Sequence, residues 1–190
     1  MGHRDPQNST SESGQFRATS PVRMQLIQHN EVSMTNHSFR VTGLSPDPFR
    51  PLFALSDAEL NQLGARRVIA DDARMPCRVS MAHAAVGEEL LLLNYEHQPA
   101  NTPYRSTHAI YVRKLADQAF DAVNTVPDVM SSRLLAIRAF DATHMMIDAE
   151  VCEGTEAAQM FERLLSNPNT SYLHVHNARR GCYAGRVERA

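Results

Sequence analysis

The chain has 190 residues, is 43% hydrophobic and 21% charged, and carries a formal net charge of −2. No apolar run is longer than four residues, as in Leu90 to Leu93, whereas a membrane-spanning helix needs roughly 18, and no signal-peptide-like stretch opens the chain. Nineteen basic against 21 acidic residues give no field for non-specific nucleic-acid binding, so the expectation is a cytoplasmic protein with neither membrane nor nucleic acid as partner.

Residues 1 to about 36 are polar, small and aperiodic, as in Gln7 to Gln15. Such a stretch buries too little apolar area to offset its ordering entropy, so a disordered leader is expected. Met34, just before the first strand-like run, is a candidate natural start. Residues 37–190 have the size of one globular domain.

Taken in chain order, Phe39 to Thr42 opens the strands. Ser56-Asp57-Ala58-Glu59 reads as a capping box, with Gly64 as the stop. Strands are expected at Arg67 to Ala70, Cys77 to Ser80, Glu89 to Tyr95 and Thr107 to Arg113. Val86-Gly87-Glu88 reads as a turn, and Lys114 to Asp121 as a short helix. Pro127 suits a first helical position before Asp128. Leu134 to Phe140 and Met145 to Val151 read as strands joined by a hairpin turn at Asp141 to His144. Ala157, Met160, Phe161, Leu164 and Leu165 repeat at helical spacing across Thr155 to Leu165, and Asn167-Pro168 ends that helix. Ser171 to His176 and Cys182 to Val187 close the series. Strands follow strands, which predicts an α+β domain around a mainly antiparallel sheet or partial barrel, with two to four short helices.

The chemistry-bearing residues cluster. All five tyrosines fall in two windows, 95–111 and 172–183, together with His97, His108, His174 and His176. Groups with apolar bodies and polar tips suit a pocket wall, although tyrosine also favours strands for its own reasons. In Tyr172-Leu173-His174-Val175-His176, alternation puts Leu173 and Val175 on one face and both histidines on the other. His-x-His on a strand can share a metal, given further ligands. Cys182, His97, His108, Asp148 and Glu150 are the candidates, but no fixed spacing joins them, and a hydrogen-bonded pair on a polar face is the alternative. His108 is in phase with Ile110 and Val112, so burial against the core is its expected role.

Eighteen of the 19 basic residues are arginine, the exception being Lys114. This usage follows from a GC-rich genome or from planar recognition of carboxylate or phosphate. Asn177 to Cys182 reads as a tight turn, solvated or anion-binding, with Gly181 free to take positive φ. Arg78, if Val79 faces the core, points away from it toward a carboxylate or ligand. The three cysteines, Cys77, Cys152 and Cys182, form no C-x-x-C pair and no disulfide framework. Cys77 and Cys182 are candidate thiol nucleophiles, with a buried small hydrophobe as the alternative for Cys77.

Gly87-Glu88-Glu89-Leu90 with Asn94-Tyr95 resembles a hairpin of SET-domain methyltransferases, but their Asn-His-Ser-Cys element is absent, which excludes that reading. A broader resemblance covers about residues 37–190. Phe39 to Leu44, Pro76-Cys77-Arg78, Gly87 to Pro99, Pro103-Tyr104, Ile110 to Arg113, Leu173 to Ala178 and Gly181-Cys182-Tyr183 resemble the bacterial family catalogued as domain of unknown function 1203. That resemblance implies no activity. The expected site therefore rests on the residues: Arg78, Tyr104, Arg105, His174, His176, Cys182 and Arg186 around a pocket for a small anionic molecule. The alternatives are a small enzyme, using a transition metal at His174 and His176 or a thiol at Cys77 or Cys182, and an interaction domain without a ligand. Oligomeric state is not legible.

Overall fold

The computed structural model describes residues 38–190. The polar leader and Met34 lie outside the described residues. The described chain is α+β, with mainly antiparallel open sheets and three short helices.

The larger sheet contains β1 (Phe39–Thr42), β5 (Asp121–Val123), β6 (Leu134–Phe140), β7 (Met146–Glu153), β8 (Tyr172–Asn177) and β9 (Tyr183–Arg189). Their order across it is β5-β1-β9-β8-β6-β7, antiparallel throughout. The smaller sheet places β3 (Glu89–Gln98) between β2 (Arg66–Ile69) and β4 (Ser106–Arg113).

Alternation sorts the faces of the larger sheet. Phe39, Val41, Leu135, Ile137, Ala139, Leu173, Val175 and Val187 point to one side. There they meet Ala157, Phe161, Leu164 and Leu165 of α3 (Ala157–Ser166), the helix expected from its spacing. Phe39 meets Phe161 edge to face, with centroids 5.3 Å apart. The opposite face of β8 carries Tyr172, His174 and His176, and all three are buried too. A second layer must therefore cover them, and part of the smaller sheet does.

Local sequence rules place the short helices. Helix α1 (Asp57–Gln62) starts at the expected capping box: the Ser56 side chain accepts from the Glu59 N–H, and the Glu59 carboxylate accepts from the Ser56 N–H. Gly64, at φ +70°, follows its end. Pro127 is the residue that precedes α2 (Asp128–Ser131), one position earlier than expected.

Three segments depart from expectation. Cys77 to Ser80 forms no ladder; it holds a bridge from Cys77 to Tyr111, after one from Pro76 to His83. The Arg78 and Val79 carbonyls are taken by the N–H groups of Leu44 and Phe120, so this backbone links segments instead of joining a sheet. Lys114 to Asp121 is not a helix: a turn around Ala116 gives way to β5 at Asp121, since the Phe120 N–H is committed to Val79. A 3-10 turn at Arg50–Ala54, unmarked in the pattern, packs Leu52 and Phe53 beneath β3 and β4.

Gly43 leaves β1 at the point where this linking segment passes. A Cβ there would lie 2.0 Å from the Val79 carbonyl oxygen and 3.1 Å from that of Arg78. Backbone would have to move. Gly43→Ala is expected to lower unfolding free energy by about 3 kcal/mol, measured by urea denaturation; an unchanged midpoint would show that the two segments separate freely.

Candidate metal centre

The centre lies on the face of β8 that points away from α3. In register with β8, β6 offers Ala136 opposite His176, Arg138 opposite His174 and Phe140 opposite Tyr172. On the other side, β9 sets Arg186 opposite His174 and Tyr183 opposite His176. Over this face come the end of β3, with His97 and Gln98, and the start of β4, with Ser106 and His108. The β3–β4 ladder shifts register between Glu96 and Gln98. Such a bulge re-aims one side chain, and here that residue is His97. Gln98 Nε2 donates to the Tyr172 hydroxyl at 2.7 Å, fastening the two sheets, and His144 Nδ1 lies 2.9 Å from the same hydroxyl. His144 itself sits at φ +65° in the β6–β7 turn.

Four imidazoles converge. The His97 ring is 4.9 Å from His108, 5.1 Å from His176 and 5.3 Å from His174, centroid to centroid. Tyr183 stacks on His97 at 4.6 Å, nearly parallel. His97 Nε2 and His108 Nδ1 are 2.7 Å apart, a hydrogen bond whose donor depends on the tautomers. One ring nitrogen from each of His97, His108 and His176 lies within 4.8 Å of the other two. A tetrahedral metal with bonds of about 2.0–2.1 Å holds its ligand nitrogens about 3.4 Å apart. The His97–His108 separation of 2.7 Å lies below that value and the 4.8 Å limit above it, so side-chain movements on the order of an ångström would close the set on an ion.

His176 carries the sharpest signal. Its Nδ1 is 2.9 Å from the Gly181 carbonyl, which can only accept, so Nδ1 bears the proton. Nε2 is then a bare lone pair. It is buried and has no partner, and the residue is 0% exposed. A carbonyl that fixes the tautomer and leaves the other nitrogen free is the outer-shell arrangement of metal-binding histidines. His97 Nδ1 and His174 Nδ1 are also buried without partners. Each such orphan costs about 1–3 kcal/mol.

The histidines are held neutral. Burial, then His97 and His176, then Arg186 and Arg138, pull His174 down to about 2; burial chiefly pulls His176 to about 3 and His97 to about 4. His108, half-buried, is lowered by burial and by Arg138. Neutral imidazole is the ligating form. Burial raises the Tyr183 hydroxyl, so it stays protonated at neutral pH.

Of the residues expected at the site, the structure brings His174 and His176 together and adds His97 and His108. His174 packs against His97, Phe140, Tyr172 and Tyr183, outside the close group of three. Arg78 is only 3% exposed; its guanidinium donates to the Tyr183 and Pro76 carbonyls and, among the described residues, meets no carboxylate. Arg105 is on the surface in an ion pair with Glu96. Arg186 lies over the Tyr172 ring at 3.9 Å and donates to Glu188. Tyr104 sits edge-on to Phe140. Asp148 and Glu150 belong to the opposite face of β7, where Glu150 pairs with Arg163 of α3. Cys77 is fully buried in an apolar cluster, its Sγ 3.4 Å from the Val79 and Arg113 N–H groups. Cys182 is half-buried, its Sγ 3.9 Å from the Arg180 carbonyl. The turn it closes has Gly181 at φ +73° and exposed Arg179 and Arg180.

A family model described as a protein of unknown function, DUF1203, matches residues 74–189. The chain belongs to this family. The DUF1203 match takes in all four clustered histidines, while Phe39 to Leu44 precedes it. Neither the curated proteins nor the solved structures returned a match. No helix among the described residues is long and apolar enough to cross a membrane.

One member of the centre, Arg138, was not singled out from sequence, and His108 was weighed both as a further metal ligand and as a core residue. His108 shares the face of Ile110 and Val112, yet it lies near the start of β4, beyond the apolar cluster. Arg138 sits between Ile137 and Ala139 in an expected strand, and that polar interruption was the available signal.

The depressed histidines set a pH dependence for the metal-free protein. In the unfolded chain each titrates near 6.5, while the folded state refuses the proton until much lower pH. Stability is therefore fully present above about pH 6.5 and falls as pH drops toward the folded values. At pH 5, His174 and His176 are expected to cost about 2 kcal/mol each. Urea denaturation of EDTA-dialysed protein between pH 7 and 5, a window above the carboxylates, reads this slope. His174→Gln removes one titrating ring and should make the slope shallower; an unchanged slope would show that His174 protonates freely in the folded state.

Proposed function

We propose that this domain binds a single divalent transition metal through His97, His108 and His176, with a fourth coordination position open to a small ligand. The observation that carries the reading is the buried, unpartnered Nε2 of His176 beside two further imidazoles within ligand distance of one another. Three neutral nitrogens without a carboxylate suit zinc, cobalt, nickel, copper or iron over magnesium or calcium. When bound, such an ion supplies Lewis acidity at the open position. The chain's own residues do the rest. Gly181 fixes the His176 tautomer, Tyr183 backs the His97 ring, and the Gln98–Tyr172 bond holds the β3 end over the larger sheet.

This reading is favoured over a metal-free anion pocket because Arg78, Arg105 and Arg186 are already engaged with carbonyls, a carboxylate or a ring. It is favoured over thiol chemistry because Cys77 has no exposed surface and Cys182 lies outside the group of three close imidazoles.

The test is metal content and affinity. EDTA-stripped protein titrated with zinc or cobalt(II) by calorimetry is expected to take one ion per chain and to gain thermal stability with metal concentration. His176→Ala and His97→Ala should each lose more affinity than the roughly 10–100-fold that an outer-shell change costs. His174→Gln should keep the stoichiometry. Absence of saturable binding, or equal binding by His176→Ala, would overturn the proposal.

A further inference from the structure

The site face carries a cation that no ion pair among the described residues engages. Arg138, Ala136 and Phe140 share one face of β6, opposite the face that packs on α3. Across the sheet, Arg186, His174 and Arg138 stand directly opposite one another in one row. Arg186 is satisfied: it covers the Tyr172 ring and donates to Glu188 at 2.9 and 2.5 Å. Among the described residues, no hydrogen bond and no ion pair engages the Arg138 guanidinium.

Arg138 is nevertheless half-buried, and its charge reaches His97, His108, His174 and His176. The acids of β7 and β9 are placed elsewhere. Asp148 and Glu150 of the neighbouring β7 register with Ala139 and Ile137, on the helix face. Glu188 is taken by Arg186. A half-buried planar fork with five unshared donors, beside three neutral metal ligands, is a recognition element for an oxyanion. His108 is the half-buried member of the triad, the other two being buried.

We infer that the open position of the metal centre takes a small oxyanion, a carboxylate or a phosphate, with one oxygen toward the metal and the others held by Arg138. The inference rests on the metal reading above. It assigns Arg138 as the specificity residue and names the ligand class by charge and shape. Diagonal neighbours across an antiparallel pair stand about 7–8 Å apart, and Arg138 is the diagonal neighbour of His176, a gap that a two-oxygen group together with a long arginine side chain spans.

The experiment uses the full chain loaded with cobalt(II), whose visible spectrum reports its ligands. Acetate and inorganic phosphate are titrated separately, with imidazole as a neutral probe of the same position. Either anion at millimolar concentration is expected to change the spectrum. In Arg138→Gln its midpoint should rise roughly tenfold or more, while imidazole and cobalt(II) itself bind as before. Arg138→Lys keeps the charge but not the fork, so it should recover phosphate better than acetate. The anion with the lower wild-type midpoint names the ligand class. If neither anion moves the wild-type spectrum, or both act equally on Arg138→Gln, the inference fails while the metal site stands. If cobalt(II) does not bind, both fail.

Discussion

Burial of strand β8 on both faces is the constraint on which the rest of the arrangement depends. A strand turns successive side chains to opposite sides, so Leu173 and Val175 can enter the α3 core only if Tyr172, His174 and His176 go the other way. Those three are 1%, 2% and 0% exposed. Something must cover a polar row, and the cover must itself be polar and aromatic. The β3–β4 pair supplies it, by a register shift that delivers His97 and by Gln98, which donates to Tyr172. One residue-by-residue alternation thus decides both where the core lies and why imidazoles meet imidazoles at the join between sheets.

The arginines separate into structural and available ones by their partners, a distinction that residue type does not make. Arg78 is buried deeply enough for desolvation to lower it to about 10, yet it keeps its charge at neutral pH. Its compensation comes from carbonyl oxygens at Pro76 and Tyr183 instead of a carboxylate. It therefore fastens the linking segment to the start of β9, behind the ring that stacks on His97. Arg189 plays a similar part at the end of β9, donating to the carbonyls of Leu165 in α3 and of Asn167 and Thr170 beyond it. Among the described residues, Arg138 has no such commitment. A guanidinium spent on backbone oxygens is scaffold, and one left unspent beside titratable rings is open to a ligand.

Much of the fold was legible because it obeys local rules. The Ser56–Glu59 capping box, the spacing of Ala157 to Leu165 and the alternation of Tyr172 to His176 each specify an element without long-range information. The failures share a cause. Cys77 to Ser80 and Lys114 to Asp121 have their backbone groups claimed by residues far away in sequence, such as Val79 by Phe120, and no local pattern announces that. The site was half legible for the same reason. His174 and His176 are neighbours on one strand, and their shared face follows from period two. His97 and His108 reach them only because two sheets pack with one register shift, and a bulge at Glu96–Gln98 leaves no mark in composition.

Charge accounting joins the proposed metal to the proposed anion. A divalent ion on three neutral imidazoles keeps its full double charge, and Arg138 adds another beside it. Of the nearby acids, Glu188 is paired with Arg186 and Glu150 faces α3. Buried or half-buried charge is tolerated when it is neutralised close by. In a loaded centre the missing negative charge would come from a small anionic ligand at the fourth position. The same balance adds to burial in keeping the imidazoles of the metal-free centre neutral: with Arg138 present and no acid among the described residues paired to it, each added proton would place one more cation beside an uncompensated one.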